Sequence, residues 1–233
     1  MKEIYIIGAG DFGKEIADTI HAINRVKQTF HIVGYIDDDN SRKGETINDL
    51  EIIGDTDEFI RISRRRAEGF AKTEKSDISK DRTILPSAVI SVADPIVKSR
   101  LARKLDGHAV WENIIHPTAS ISPYATFGQG IVIQSFVYAA PNAMIENHAH
   151  VNVLSSVGHD VRVGEFSSVM VQSALSGFST LGQCAYIATG VTILPGIHIG
   201  SNTHVGAGSV VTKDLPDDVV AYGSPCKAIR RNR

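Results

Sequence analysis

Two places in the sequence bring together groups able to do chemistry. The first is His159, which follows Gly158 and precedes Asp160 in the run SSVGHD. A neutral imidazole oriented by a carboxylate is the usual general base near neutral pH. The second is GAGDFG, from Gly8 to Gly13, in which Gly8, Gly10 and Gly13 have the spacing G-x-G-x-x-G. A glycine turn that follows a strand and opens a helix lets backbone amides meet phosphate oxygens. Asp37, at the end of the next apolar run, has the place of a carboxylate for a ribose hydroxyl.

The other reactive side chains point to less. No two of His116, His148, His150, His159, His198 and His204 are five positions apart. That spacing is needed for the zinc site that γ-type carbonic anhydrases build between β-helices, so no metal is expected. His198 and His204 read as polar surface. Cys184 reads as a small filler, because no basic neighbour favours its thiolate.

The elements that position His159 follow from a six-residue period. From Ile115 to Val211, every sixth residue is apolar for seventeen hexads without a slip, through Ile133, Val157, Leu175 and Ile193. The fifth position is usually small, as at Ala143, Ser155, Ser167 and Ala185, and the second is often Gly, as at Gly158 and Gly182. Neither a helix nor a long strand has this period. A short strand plus a tight corner does, three hexads making one eighteen-residue coil of a parallel β-helix. Coils stack every eighteen residues, so His159 is expected between Pro141 and Gly177. The glycine is expected to leave room for a ligand beside the imidazole.

The first part of the chain alternates strand and helix. Ile4–Ile7 reads as a buried strand. A helix follows on the stripe Ile16, Ala17, Ile20 and Ile23, and then a strand from His31 to Ile36 ending in Asp37, Asp38 and Asp39. A third strand is expected over Ala88–Val92 and a helix from Pro95 to about Leu105, with the proline at its first position. This predicts a small parallel α/β unit over residues 1–110 and a β-helix over 111–233. The charged stretch near 61–83 reads as a helix end plus loop, its Arg64, Arg65 and Arg66 forming a solvated face. A glycine turn alone would suggest a dehydrogenase, but the α/β unit is too short for one and yields to the β-helix. It reads instead as a site for a nucleotide-linked ligand.

Composition closes off other classes. With a formal net charge of -2, nothing draws the chain to nucleic acid or to a membrane surface. Only six charged residues fall between Ile115 and Pro216, yet Gly, Ser, Thr and Asn interrupt that stretch too often for a bilayer span. Two cysteines give neither a disulfide framework nor a thiolate metal site. The start carries no signal-peptide pattern, and the chain reads as cytoplasmic.

The order of parts (GAGDFG, the strand end YIDDD, a hexapeptide β-helix carrying SSVGHD, and the tail YGSPCKAI) resembles the bacterial hexapeptide-repeat sugar acetyltransferases. These include sialic acid O-acetyltransferases and N-acetyltransferases of nucleotide-linked 4-amino sugars. The resemblance implies a Rossmann-like α/β unit followed by an all-β, left-handed parallel β-helix, assembled as a homotrimer. It implies that His159 is the general base and that Asp160 supports it. Nucleotide-sugar binding is expected at Gly10, Asp11, Phe12, Asp37, Asp38 and Ala93. Acetyl-coenzyme A is expected as co-substrate along Ser168, Gly177, Thr189 and Ala207, in the groove between neighbouring β-helices. Phe12, Ser168 and the run Ala93–Asp94–Pro95 depart from residues common in the family, and with them the identity of the sugar. A single His–Asp pair serves an amine or a hydroxyl acceptor alike. A nucleotide-binding scaffold without catalysis is the reading from another class, and it would neither bind acetyl-coenzyme A nor turn it over.

Overall fold

The computed structural model describes residues 1–73 and 84–232, and of residues 71–73 the backbone alone. Residues 74–83, which hold most of the loop expected in the charged stretch, lie outside the described residues. The chain divides into two compact units. One comprises Met1–Val92 with Arg100–Glu112, the other Ala93–Ser99 with Asn113–Arg233.

The first unit is built on β1 (Lys2–Ile7), α1 (Asp11–Val26) and β2 (Phe30–Ile36), then the short β3 (Thr46–Ile47), β4 (Leu50–Gly54) and α2 (Thr56–Thr73). It continues with β5 (Ser87–Ile90), α3 (Pro95–Lys104), which runs on from the other unit, and β6 (Val110–Trp111). The sheet order is β3-β4-β2-β1-β5-β6, parallel except for the β3–β4 hairpin. Chain order reverses on either side of β1, so the loops after β1, β2 and β5 leave the sheet at the crevice where open α/β sheets bind ligands. Ile16, Ala17 and Ile20 face inward from α1 as their stripe predicts, and Ile23 is half-buried.

One element here is not expected from the sequence. The β3–β4 hairpin turns at Asn48 and Asp49, both at positive φ (47° and 65°). Two adjacent left-handed residues match the twist of flanking strands, and Asn and Asp tolerate that conformation best. The charged stretch begins, as expected, with the end of a helix, α2, which runs to Thr73. That helix starts on Asp55, whose carboxylate accepts the Glu58 amide at 2.8 Å. Arg64 and Arg65 are exposed, as expected of a solvated face, whereas Arg66 is half-buried over the Tyr5 ring. Arg61 and Arg65 both reach Glu58, and Arg66 reaches Glu3.

The second unit is a left-handed parallel β-helix with the register that the hexads predict. Each coil contributes three two-residue strands, and strands eighteen residues apart pair in parallel, as His150–Val151 does with Ser168–Val169. The amide of one residue donates to the carbonyl seventeen positions on, as from Gly158 to Leu175 at 2.8 Å. Three faces result. The first carries Ile114–Ile115, Val132–Ile133, His150–Val151, Ser168–Val169, Tyr186–Ile187 and His204–Val205, and ends in the hairpin Val219–Gly223 with Cys226–Arg231. The second contains Ser156–Val157 and Ala174–Leu175, the third Arg162–Val163 and Thr180–Leu181.

Lead residues from Ile133 to Val211 are buried in one column, whereas Ile115, Ile121 and Phe127 are only partly so, because they form the first coil with none beneath it. The small fifth position sits in the corners. Ser155, Ser167 and Ser173 are buried there, and their hydroxyls donate to the carbonyls of Met170, Gly182 and Ala188 at 2.9 Å. At these three corners the buried hydroxyl is satisfied, whereas Ser179 Oγ, buried at the same position of its hexad, has no hydrogen-bond partner among the described residues.

Candidate functional site

From the second coil on, corners of the prism carry a left-handed residue that recurs every six positions, at Phe136, Asn142, His148, Leu154, Asp160, Phe166, Gln172, Phe178 and Cys184. Asp160 fills one such place at φ 58°, immediately after His159 in the turn between the second and third faces. The turn brings the two side chains together. His159 Nδ1 lies 2.9 Å from Asp160 Oδ2, and Asn142, one coil earlier, donates to Asp160 Oδ1 at 3.0 Å. These two hydrogen bonds, the His159 one first, hold the Asp160 carboxyl below its ordinary 3.8. A proton on Nδ1 leaves the lone pair on Nε2.

The ring stays accessible, with 57% of the His159 side chain exposed. It packs edge-on against Phe178, ring centroids 4.9 Å apart. On the coil above it lies Gly177, where a Cβ would sit 2.5 Å from both Cε1 and Nε2. The glycine therefore makes room for the imidazole itself, and not for a ligand beside it as the spacing alone suggested. Nε2 lies against the Gly177 backbone.

The other residues expected along a groove separate. Thr189 and Ala207 are exposed and stacked one coil apart, but on the corner between the first and second faces. Within one chain they do not meet His159 and Gly177. Ser168 is a correction. It is fully buried on the outer side of the first face, where the segment Ala93–Ser99 covers it. Its hydroxyl donates to the Ala93 carbonyl at 2.7 Å and accepts from Lys98 Nζ at 2.9 Å. A residue so enclosed does not line an open groove.

Sequence reading missed this covered face. Lys98 is fully buried, and desolvation holds its pKa well below 10.5. A signal was there: Pro95, Lys98, Ser99, Ala102 and Leu105 form one helical stripe, and all five are buried. His150, on the rung below Ser168, is also buried, and His148 stacks on Phe166 at 5.3 Å. Burial first, and the Lys98 charge second, push His148 down to about 4 and His150 well below 6.5. His204, expected at the polar surface, is instead half-buried with its ring 4.3 Å from that of Tyr186. Cys184 is buried, as a filler should be.

In the first unit the three glycines divide the labour of the turn. Gly8 adopts φ 110°, and a Cβ on Gly13 would strike the Gly8 carbonyl at 2.6 Å. Gly10 has nothing within 4 Å of a Cβ position, which leaves its backbone open. Asp11 is exposed and Phe12 half-buried beside it at the start of α1. Asp37 serves the turn, accepting from the Ala9 amide at 2.7 Å, and Asp38 accepts from the Thr56 amide at 2.9 Å and hydroxyl at 2.6 Å. Arg42, unmarked in the sequence, reaches the Ala9 carbonyl at 3.3 Å and adds a cation at this turn. Among the described residues no three His, Cys, Asp or Glu side chains group as metal ligands, and no helix is long and apolar enough to cross a membrane.

A hexapeptide prism that presents an oriented imidazole at an open corner, joined to a glycine-turn α/β unit, has the build of an acyltransferase. Comparison with known proteins agrees. Residues 3–71 match the PglD N-terminal domain family, and residues 178–213 match the bacterial transferase hexapeptide (six repeats) family. A putative acetyltransferase of Saccharomyces cerevisiae is 36% identical over 150 residues, covering 61% of this chain and 74% of the relative. GDP-perosamine N-acetyltransferase of Escherichia coli is 25% identical over 97% of this chain and 96% of its own length. The crystal structure of PerB from Caulobacter crescentus, in complex with CoA and GDP-perosamine, superposes with a TM-score of 0.83 at 26% identity, covering 99% of this chain and 98% of PerB. The chain belongs to the hexapeptide-repeat acetyltransferase family.

Two predictions arise here. Gly177→Ala places a methyl where the ring lies, so its turnover should fall towards that of a His159→Ala variant while the β-helix stays folded by circular dichroism. Wild-type turnover in Gly177→Ala would show that the ring position is irrelevant. The second concerns pH. His148 has a folded-state value depressed from 6.5 to about 4, so the unfolded chain binds protons that the folded one refuses. Its stabilising contribution is present above pH 6.5 and is lost as pH falls towards 4, at about 1.4 kcal/mol per pH unit within the window. His150 acts in the same direction. Urea midpoints should drop from pH 7 to pH 4.5, and His148→Leu should flatten the slope. A midpoint independent of pH in the unmodified protein would contradict the assignment.

Proposed function

We propose that the protein transfers the acetyl group of acetyl-coenzyme A to the amine of a nucleotide-linked amino sugar. The observation that carries this is the His159–Asp160 pair, hydrogen-bonded at 2.9 Å on an open corner with Nε2 against Gly177. The likeness to GDP-perosamine N-acetyltransferase over nearly the whole chain supports the choice of acceptor class.

In the proposed reaction the acceptor nitrogen attacks the thioester carbonyl, and His159 Nε2 removes a proton from that nitrogen as the C–N bond forms. Asp160 holds the ring in the tautomer this requires. The carbonyl oxygen takes up negative charge, and the Gly177 amide, which makes no backbone hydrogen bond among the described residues, is available to it. Collapse breaks the C–S bond, and the departing sulfur takes the proton, leaving an amide and free coenzyme A. An amine needs less help from a base than a hydroxyl does, which suits a site with one His–Asp pair.

Residues 1–110 serve in this reading as the nucleotide-binding domain and 111–233 as the transferase domain. The open backbone at Gly10, with Asp11 and Phe12, takes the nucleotide-sugar phosphates at the start of α1. Asp37 and Asp38 shape the same loop, and Ala93 bounds the acceptor side. Gly177, Thr189 and Ala207 line the coenzyme. Because Gly177 lies on one corner of the prism and Thr189 and Ala207 on another, a complete coenzyme site needs a second copy of the chain. A homotrimer, working in the cytoplasm, provides three such sites. The exposed Phe136, Leu154 and Phe178, 62%, 54% and 61% accessible, supply apolar surface for that assembly.

Purified protein incubated with acetyl-coenzyme A and GDP-, UDP-, dTDP- and CMP-linked amino sugars should release free thiol with at least one of them. His159→Ala should lower kcat by about 10²–10⁴ with an unchanged thermal midpoint. Absence of thiol release across the whole panel, or full activity in His159→Ala, would sink the reading. Light scattering should give the mass of three chains, and a single-chain mass would refute the shared coenzyme site.

A further inference from the structure

Among the described residues, Lys98 is the only lysine or arginine that is buried. Taking an ammonium out of water is costly, and an apolar side chain of the same length would fill the space without that cost. What the charge adds is direction. Lys98 Nζ donates to Ser168 Oγ at 2.9 Å and to the Ser167 carbonyl at 3.3 Å, while Ser168 Oγ donates to the Ala93 carbonyl at 2.7 Å. The hydroxyl cannot turn away, because it gives its proton to Ala93 and its lone pair to Lys98. Ala93 and Lys98 are the two ends of one tight turn of chain, closed internally by Asp94. Its carboxylate accepts the Ile96 and Val97 amides at 2.9 Å, and its carbonyl accepts the Lys98 amide at 2.9 Å. The result is a closed circuit that fastens both ends of the segment to a single rung.

That rung ends the coil that carries His159. Ser168 pairs with His150 below and Tyr186 above on the first face. Past the rung, Ala93 and Asp94 wall a cavity of about 370 Å³ with Tyr186, Thr203 and His204. A carboxylate, a phenol and an imidazole around one cavity are donors and acceptors suited to a hydroxylated, amine-bearing ring.

We propose that Lys98 and Ser168 are positioning residues for the acceptor: their circuit fixes the Ala93–Asp94 segment, and so the wall of the acceptor cavity, relative to the coil that bears the general base. This rests on the acetyl-transfer reading above. Neither residue touches the reacting atoms. Both act through the backbone they hold, where a displacement of about 1 Å can cost on the order of 10²-fold.

Lys98→Met keeps the length of the side chain and removes its charge, and Ser168→Ala removes one hydroxyl and leaves the lysine. The nucleotide-linked amino sugar that the unmodified enzyme acetylates serves as the acceptor probe. Each variant should raise the KM for that acceptor by roughly ten-fold or more while the KM for acetyl-coenzyme A stays within about two-fold. The double variant should be no worse than the singles, because both break the same circuit. Hydrogen–deuterium exchange of the amides from 96 to 104 should quicken in both variants, a readout that needs no turnover. Unchanged acceptor KM, both KM values rising together with a fall in thermal midpoint, or unaltered exchange would each overturn the proposal. Should Lys98→Met fail to fold, Ser168→Ala decides alone. A lack of turnover by the unmodified protein counts against the proposed reaction instead, and the exchange experiment then decides the role of Lys98.

Discussion

Stacking one coil on the next at a strict interval of eighteen residues is the constraint from which the rest of the β-helix follows. Along the strands, backbone amides find carbonyls seventeen positions on, and each lead aliphatic falls onto the one beneath it. A one-residue slip would carry every buried lead out of the column and put polar neighbours in its place. The seventeen hexads from Ile115 to Val211 accordingly run without an insertion. This is also why the segment holds so few charges, since most of its side chains are either core or pressed against a neighbouring rung.

The same register builds the candidate site. Corners need one residue at positive φ, and at position 160 that residue is an aspartate, whose carboxylate the turn aims at the preceding ring. The coil below supplies Asn142 to the carboxylate, and the coil above supplies Gly177 to the ring. An oriented imidazole thus arises from two pairs of residues eighteen apart, Asn142 with Asp160 and His159 with Gly177, joined by one turn. The glycine illustrates how stacking changes the meaning of a residue. On its own it reads as space for a ligand, whereas against His159 it is space for the imidazole ring.

The first face shows the opposite case, in which covering chain alters what surface residues do. Ser168, Tyr186 and His204 occupy outward positions of their hexads, where period alone predicts contact with solvent. The segment Ala93–Ser99 lies over that face and brings a lysine with it. Under this cover His148 and His150 lose their charge at neutral pH and Ser168 becomes a hydrogen-bond relay. In the other unit, Asp37 and Asp38 were legible as a strand-end carboxylate pair, yet both also hold backbone amides of adjoining segments.

Local and periodic features were decided by the amino-acid order alone: the hexads, the coil, the pairing of His159 with Asp160, the glycine turn and the strand–helix alternation of the first unit. They could be read because their causes lie within one turn, or recur at a fixed interval. The β3–β4 hairpin was also local, in Asn48 and Asp49, and went unread because two polar residues between short apolar runs are a faint signal. Tertiary structure alone decided the burial of Lys98, the enclosure of Ser168 and the neutral histidines beside it. Those depend on which stretch of chain covers the first face, a contact between residues some seventy positions apart, and no period in the sequence encodes it.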